Sequence, residues 1–174
     1  MSSFIDNGRA ASDGGKYDRP TFIDSHRARS ACGRELARLR EEVARRVTML
    51  SGNEEMEAVV RSSPDRYIVQ LGPVALSVAW LRSRFDTVSD GELLVIVWQG
   101  TVARRAAPLP EKPREKASTT ATVLWEEIVS AAAENEESWR WRPSAEKTLG
   151  FTSDELAERC VDQLRRAYRR CAAA

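Results

Sequence analysis

The stretch that decides the fold runs from Arg66 to Ala103 and reads "RYIVQLGPVALSVAWLRSRFDTVSDGELLVIVWQGTVA". It contains three runs of strand length that are rich in β-branched and aromatic residues, a composition typical of β-strands. Gly72-Pro73 separates the first run from the second, and the Ser89–Gly91 turn separates the second from the third. Because such breaks are turn formers, we expect the three strands to form an antiparallel meander.

The second strand of this meander alternates large and small side chains from Val74 to Trp80. Successive side chains of a strand point to opposite faces, so alanine and serine residues share one face and the large residues share the other. A face of small side chains lets a helix approach closely, and we expect one of the long helices there. Gly100, near the end of the third strand, indicates a β-bulge.

A long helix is predicted on the N-terminal side of the meander, from about Arg29 to Leu50, because apolar residues recur there at spacings of three and four. Gly52-Asn53 is a typical end for it. Residues 54–62 suit a short second helix before Pro64.

The last element is the clearest helix of the sequence, and it opens with the capping box Thr152-x-x-Glu155. Its apolar stripe is formed by Ala157, Cys160, Val161, Leu164, Tyr168 and Cys171. Before it, residues 117–133 fit either a helix or a strand, and their threonine and valine content favours a fourth strand. "SWRWRP" alternates tryptophan with arginine and is predicted to be a fifth strand, with Trp139 and Trp141 on one face.

The fold class that follows is α+β. We expect a two-layer domain in which an antiparallel meander of about five strands is flanked by long N- and C-terminal helices. Residues 26–174 would form this single domain. Residues 1–25 are rich in serine, glycine and aspartate without sustained periodicity, and they are predicted to be a flexible tail.

A seven-residue phrase occurs twice near the N-terminus, as "FIDNGRA" from Phe4 to Ala10 and as "FIDSHRA" from Phe22 to Ala28. Five of the seven positions are identical, and we call the shared pattern, Phe-Ile-Asp-x-x-Arg-Ala, the motif. Its Phe-Ile pair can anchor in an apolar groove, and its aspartate and arginine can fix the register of binding through opposite charges. This pattern favours a short linear motif that binds a protein partner or a second copy of the chain. The candidate partner-binding residues are Phe4, Ile5, Asp6, Arg9, Phe22, Ile23, Asp24 and Arg27.

Two other interpretations of the repeat stay open. It can be a relic of duplication without function, since tails tolerate such changes. Alternatively, the second copy docks on the protein's own body at the start of the first helix, and the first copy fills the same kind of groove on another subunit.

Arginine is concentrated in three patches: Arg27–Arg46, Arg104–Lys116 and the end of the last helix. If these converge, the protein could contact phosphate groups, and the candidate nucleic-acid contacts are Arg165, Arg166, Arg169 and Arg170. The formal net charge of only +1 argues against this interpretation, because nucleic-acid-binding domains are usually strongly basic. Solvated helix faces explain the arginines equally well.

The sequence offers little support for catalysis. It has one histidine, His26, which excludes two-histidine zinc sites and supports no histidine-based triad. The three cysteines have no CxxC spacing, and we interpret them as reduced thiols of a cytoplasmic protein. No pair of carboxylates stands out as an acid and base, so we expect no cofactor and no metal, and the sequence favours a non-enzymatic protein while leaving a small enzyme as an open alternative.

No apolar run approaches the ~20 residues of a membrane span, and the N-terminus lacks the apolar region of a signal peptide. We therefore expect a non-enzymatic interaction protein or accessory subunit of a larger assembly, with the N-terminal motif as its attachment. The alternative is a nucleic-acid-associated accessory protein that uses the arginine patches. The third interpretation is a small enzyme or ligand-binding domain with a pocket between sheet and helices.

Overall fold

The computed structural model describes residues 22–54, 57–81, 87–103, 121–145 and 150–173, the side chains of residues 53 and 54 excepted. The elements in chain order are α1 (His26–Glu54), β1 (Ala58–Ser63), β2 (Arg66–Leu71), β3 (Val74–Leu81), β4 (Glu92–Gln99), β5 (Thr122–Ala133), β6 (Trp139–Pro143) and α2 (Ser153–Ala172).

The six strands form one antiparallel sheet in the order β1-β2-β3-β4-β5-β6, so every strand pairs with its neighbour in sequence. Two long helices flank this meander in the chain, and the predicted α+β class is confirmed. Sequential antiparallel pairing is what short connections allow, because a parallel pair needs a long crossover. Neither helix, within the described ranges, is long and apolar enough to cross a membrane.

The first strand was not predicted. The expected short helix at residues 54–62 is wrong, because Ala58–Ser63 pairs with β2 from Ala58 opposite Leu71 to Ser63 opposite Arg66. The local sequence contains two adjacent valines, which prefer strands. Pro64 and Asp65 form the turn that joins the two strands, so the predicted end of a helix is the corner of a hairpin.

Both helices pack on the face of the sheet that carries the large apolar residues of β3, which we call the inner face. Leu39 and Val43 of α1 and Leu164 of α2 belong to the same buried cluster as Leu76 and Val95 of the sheet. The expectation that a helix covers the small residues of β3 is therefore wrong. Large side chains on both layers bury more apolar area against each other, and this gain decides the packing.

The opposite face, which we call the outer face, carries the small residues of β3. The indole N–H of Trp98 donates a hydrogen bond to the hydroxyl of Ser77 at 2.8 Å, across the pair β3–β4. The side-chain carbonyl of Gln70 accepts from the backbone N–H groups of Val102, at 2.8 Å, and Ala103, at 3.2 Å. Gln70 is 5 % exposed, and these bonds hold the chain after β4 against one end of the outer face.

The irregularity of β4 lies slightly earlier than the sequence indicates. The register with β5 shifts between Val97 and Trp98, not at Gly100. Gly100 instead has φ 111°, and its backbone N–H donates to the carbonyl of Pro73 at 2.7 Å. The glycine is needed because this conformation strongly disfavours side chains.

The last two strands agree with the sequence. Residues 122–133 form β5, which confirms the preference for a strand, and residues 117–120 lie outside the described part of the chain. Trp139 and Trp141 of β6 are 7 % and 1 % exposed and point to the inner face. The indole N–H of Trp141 donates to the hydroxyl of Ser153 at 3.0 Å, which links β6 to the first turn of α2.

The C-terminal helix begins with the predicted capping box. The Thr152 side chain accepts a hydrogen bond from the backbone N–H of Glu155, and the Glu155 carboxylate accepts one from the backbone N–H of Thr152 at 2.8 Å. Its apolar stripe faces the core: Ala157, Cys160, Val161 and Leu164 are buried, and Tyr168 and Cys171 are partly buried.

Candidate docking site

The second copy of the motif lies against the body of the protein where α1 begins. Phe22 and Ile23 are partly buried and pack against the hydrophobic core. The ring centroid of Phe22 is 6.2 Å from that of Trp139, with 49° between the two planes. A tilted pair at this distance is a favourable aromatic arrangement. The apolar pair of the motif therefore has a binding surface on its own chain.

The charged residues of the motif also have partners on the body. The Asp24 carboxylate accepts a hydrogen bond from the hydroxyl of Ser89 at 2.6 Å. The Arg27 guanidinium lies 2.7 Å from the Glu136 carboxylate, and these side chains are 74 % and 41 % exposed. An ion pair this exposed contributes about 1 kcal/mol or less, so it orients the motif more than it adds stability.

Ser25 starts the helix between these contacts. Its hydroxyl accepts a hydrogen bond from the backbone N–H of Ala28 at 3.1 Å, the usual contact of an N-cap residue with the third helical position. Its own backbone N–H donates to the carbonyl of Phe22 at 2.9 Å, which forms a tight turn. Ala28 is fully buried, so the last motif position is part of the hydrophobic core.

The five positions that are identical in the two copies each make a contact with the body in the second copy, three by packing against the core and two by a polar or ionic contact. In the second copy they are Phe22, Ile23, Asp24, Arg27 and Ala28. The positions that differ are Ser25, which caps the helix, and His26, which is exposed. The first copy has Asn7 and Gly8 at these places, and asparagine caps helices as well as serine does.

The body contributes a docking site made of Ser89, Glu136 and Trp139. Ser89 comes from the turn before β4, Glu136 from the turn between β5 and β6, and Trp139 from the start of β6. The indole N–H of Trp139 is buried and has no hydrogen-bond partner within the described ranges. Sequence analysis predicts Ser89 in a turn and Trp139 on one face of a strand, and it does not predict that either residue meets the motif. Only the folded sheet brings the two turns to the start of α1.

The first copy of the motif lies outside the described residues, and so do its candidate residues Phe4, Ile5, Asp6 and Arg9. Their predicted contacts with a partner stay a prediction. The structure places the other four candidates, Phe22, Ile23, Asp24 and Arg27, in one continuous contact with the body.

The arginine patches are only partly described. On α2, Arg166, Arg169 and Arg170 are exposed, and Arg165 is half-buried. On α1, Arg46 lies 3.0 Å from Asp154 of α2 and also contacts Glu42. Residues 104–116 lie outside the described ranges, so convergence of the three patches stays a prediction.

The described residues form several hollows, and the one that is better enclosed than the others is small. A hollow of about 160 Å³ lies between α1 and the β2–β3 side of the sheet, lined by Cys32, Leu36, Trp80 and Val88 among others. Ligand pockets usually measure about 300–1,000 Å³. Four hollows of about 310 to 490 Å³ on the described surface fall in that range, but each is more open to solvent than this one. Burial raises the pKa of the Cys32 thiol to about 12, so it stays protonated and unreactive at neutral pH. Within the described ranges, no group of three His, Cys, Asp or Glu side chains could hold a metal ion.

Comparison of the chain with models of protein families, with curated proteins and with solved structures finds no match.

Proposed function

We propose that this protein is a non-enzymatic interaction protein, an accessory subunit of a larger assembly, that attaches through the motif near its N-terminus. The second copy occupies the docking site of its own body, and the first copy binds the same docking site on another copy of the chain. A protein partner that presents an equivalent site would be held in the same way.

One observation carries the proposal: the motif positions that are identical in the two copies are those through which the second copy contacts the body. Five of seven positions are shared by the two copies. In the second copy Phe22, Ile23 and Ala28 pack against the core, and Asp24 and Arg27 make an exposed hydrogen bond and an exposed ion pair with the body. Duplication without function has no reason to preserve the contacting positions in the first copy while changing the other two. A site built for the second copy therefore also accepts the first.

The expected affinity of one copy is low. A fully buried phenylalanine contributes about 1.5–3 kcal/mol, and the Phe22 ring is only partly buried. The second copy is tethered to its site, and a short tether acts like a millimolar local concentration. The first copy of another chain must compete with it. Replacement of the second copy at the docking site by the first copy of another chain therefore increases with protein concentration. It also increases with any change that weakens the contact of the second copy with the site.

The experiment is a titration of a fluorescent peptide that spans Ser2–Ser12 with the full-length protein, followed by fluorescence anisotropy. Wild type should bind the peptide weakly, because its own second copy fills the site. Phe22→Ala should bind it at least about tenfold more tightly, since it removes most of the competing apolar contact. Arg27→Ala is the milder variant and should give a smaller gain in affinity.

The matched control is the same peptide with Phe4→Ala, which should bind no protein variant. Thermal unfolding of each variant establishes that it is folded at the temperature of the titration. If neither Phe22→Ala nor Arg27→Ala binds the native peptide more tightly than wild type does, the two copies do not share a site and the proposal is wrong.

A further inference from the structure

The indole N–H of Trp139 is a buried donor for which the described part of the chain supplies no acceptor. Trp139 is 7 % exposed, and its Nε1 atom makes no hydrogen bond within the described ranges. An indole N–H can only donate, and a buried one usually finds an acceptor because an unpaired buried donor is costly. The burial of this N–H therefore indicates that an acceptor belongs beside Trp139.

Two other tryptophans of the sheet show which kind of acceptor this protein uses. The indole N–H of Trp98 donates to the hydroxyl of Ser77 at 2.8 Å, and that of Trp141 donates to the hydroxyl of Ser153 at 3.0 Å. In both pairs the acceptor is the hydroxyl oxygen of a serine. A serine or threonine hydroxyl is therefore the acceptor that we expect for Trp139.

The hydroxyl groups that line the same hollow as Trp139 are engaged elsewhere. The hollow measures about 360 Å³, and its lining includes Ser138, Thr152 and Ser153. The Ser138 hydroxyl donates to the carboxylate of Glu134 at 3.0 Å. The hydroxyls of Thr152 and Ser153 each accept one hydrogen bond and donate another within the body. The hollow leaves room beside Trp139 for a group from another segment.

Phe22 brings the N-terminal part of the chain to this indole. Its ring centroid lies 6.2 Å from that of Trp139, so the preceding residue is one peptide unit away from the ring pair. That residue is Thr21, and the residue directly before Phe4 in the first copy is Ser3. Both copies of the motif are thus preceded by a residue with a hydroxyl group, which extends their similarity by one position.

We propose that the motif includes this preceding hydroxyl, and that its oxygen accepts a hydrogen bond from the indole N–H of Trp139. The acceptor is Thr21 in the second copy, and it is Ser3 when the first copy is bound at the docking site. The part that concerns Ser3 rests on the proposed function, whereas the part that concerns Thr21 does not. The residue before phenylalanine then determines specificity, because a residue without a hydroxyl leaves the buried donor unpaired.

The first test concerns Thr21 in the full-length protein. Thr21→Val keeps the shape of the side chain and removes the acceptor, whereas the control Thr21→Ser keeps the acceptor. Proton–nitrogen correlation spectra report the indole N–H of Trp139, which is identified by its proximity to the ring protons of Phe22. Loss of the hydrogen bond should shift this signal upfield in Thr21→Val, and Thr21→Ser should leave it in place. An indole signal that stays in place in folded Thr21→Val overturns the proposal.

The second test uses the Ser2–Ser12 peptide and the Phe22→Ala protein. The Ser3→Ala peptide should bind about fivefold more weakly than the native peptide, which is the usual scale of one hydrogen bond, and the Ser3→Thr peptide should bind within about twofold of it. The protein variant Phe22→Ala/Trp139→Phe has no indole N–H at this position. If it is folded by thermal unfolding, it should bind the native and the Ser3→Ala peptides equally.

The outcomes separate this inference from the proposed function. A native peptide that binds Phe22→Ala more tightly than wild type supports the shared docking site. Equal binding of the native and Ser3→Ala peptides to that protein then overturns the hydroxyl contact alone. A native peptide that binds neither protein contradicts the proposed function, and the Thr21 spectra still decide whether the hydroxyl before Phe22 is the acceptor.

Discussion

Trp139 joins the hydrophobic core to the docked motif. It is 7 % exposed in the cluster below the helices, and its ring also contacts Phe22. Removing Phe22 would uncover part of the core at Trp139. Loss of the motif should therefore lower the free energy of unfolding of the body. At the scale of single residues, the motif is therefore part of the fold as well as a candidate ligand.

The buried stripe of α2 gives the sharpest test of a single position. Leu164 is fully buried, so Leu164→Asp should lower the free energy of unfolding by several kcal/mol, because an unpaired charge would enter the core. Arg166→Asp on the exposed side of the same helix should cost less than about 1 kcal/mol. Denaturation by urea measures both. Equal stability of Leu164→Asp and wild type would show that the stripe is assigned to the wrong face.

At the scale of elements, the two helices are joined by charge as well as by apolar contact. Arg46 of α1 lies 3.0 Å from Asp154 in the first turn of α2. The hydrogen bond from Arg46 holds the pKa of the Asp154 carboxyl below its ordinary value of 3.8. The backbone N–H of Thr152 likewise lowers the pKa of Glu155 from 4.5. Both carboxylates are bound more favourably in the folded chain than in the unfolded one.

This arrangement predicts how stability depends on pH. A carboxyl whose pKa is lowered on folding stabilises the protein above its unfolded pKa and loses that contribution as the pH falls through the folded value. The free energy of unfolding should therefore stay level from about pH 7 to 5 and fall on further acidification. Asp154→Asn should reduce the slope as the pH falls below 3.8, the ordinary pKa of the carboxyl that it removes. An unchanged slope in Asp154→Asn would contradict the role given to the Arg46 contact.

Most elements were predictable because their signals are local. A few neighbouring residues are enough to identify the capping box of α2, the alternation of β6 and the turns of the meander. The strand at Ala58–Ser63 was missed because its state depends on pairing with β2, which residues 54–62 alone do not reveal. The side of the sheet that receives the helices was also missed. The choice of face depends on the total apolar area that helices and sheet bury together, and not on how closely a helix can approach one strand.

At the scale of the whole molecule, the motif was predictable from the sequence and its docking site was not. Repetition within the sequence identified Phe22, Asp24 and Arg27 without any structure. Their partners Ser89 and Glu136 lie more than sixty residues away in turns of ordinary composition, and only the folded sheet brings them to the start of α1.

The two copies should differ in their effect on stability. Phe22→Ala should lower the free energy of unfolding by about 1–3 kcal/mol, because the ring packs on the core. Phe4→Ala in the first copy serves as the matched variant and should leave the stability within about 0.5 kcal/mol of wild type at low protein concentration. Urea denaturation of both variants at the same concentration makes the comparison. A Phe22→Ala variant as stable as wild type would contradict the docked position of the second copy.

The central claim, that both copies of the motif fit one site, is tested most directly by exchanging the charges of one contact. In the Phe22→Ala protein, Glu136→Arg should weaken binding of the native Ser2–Ser12 peptide about fivefold, and the Arg9→Glu peptide should bind that variant better than the native peptide does. The Arg9→Glu peptide should in turn bind poorly to the protein that keeps Glu136. Preference of each peptide for the protein of matching charge would place Arg9 where Arg27 lies. Equal binding in all four combinations would contradict the account.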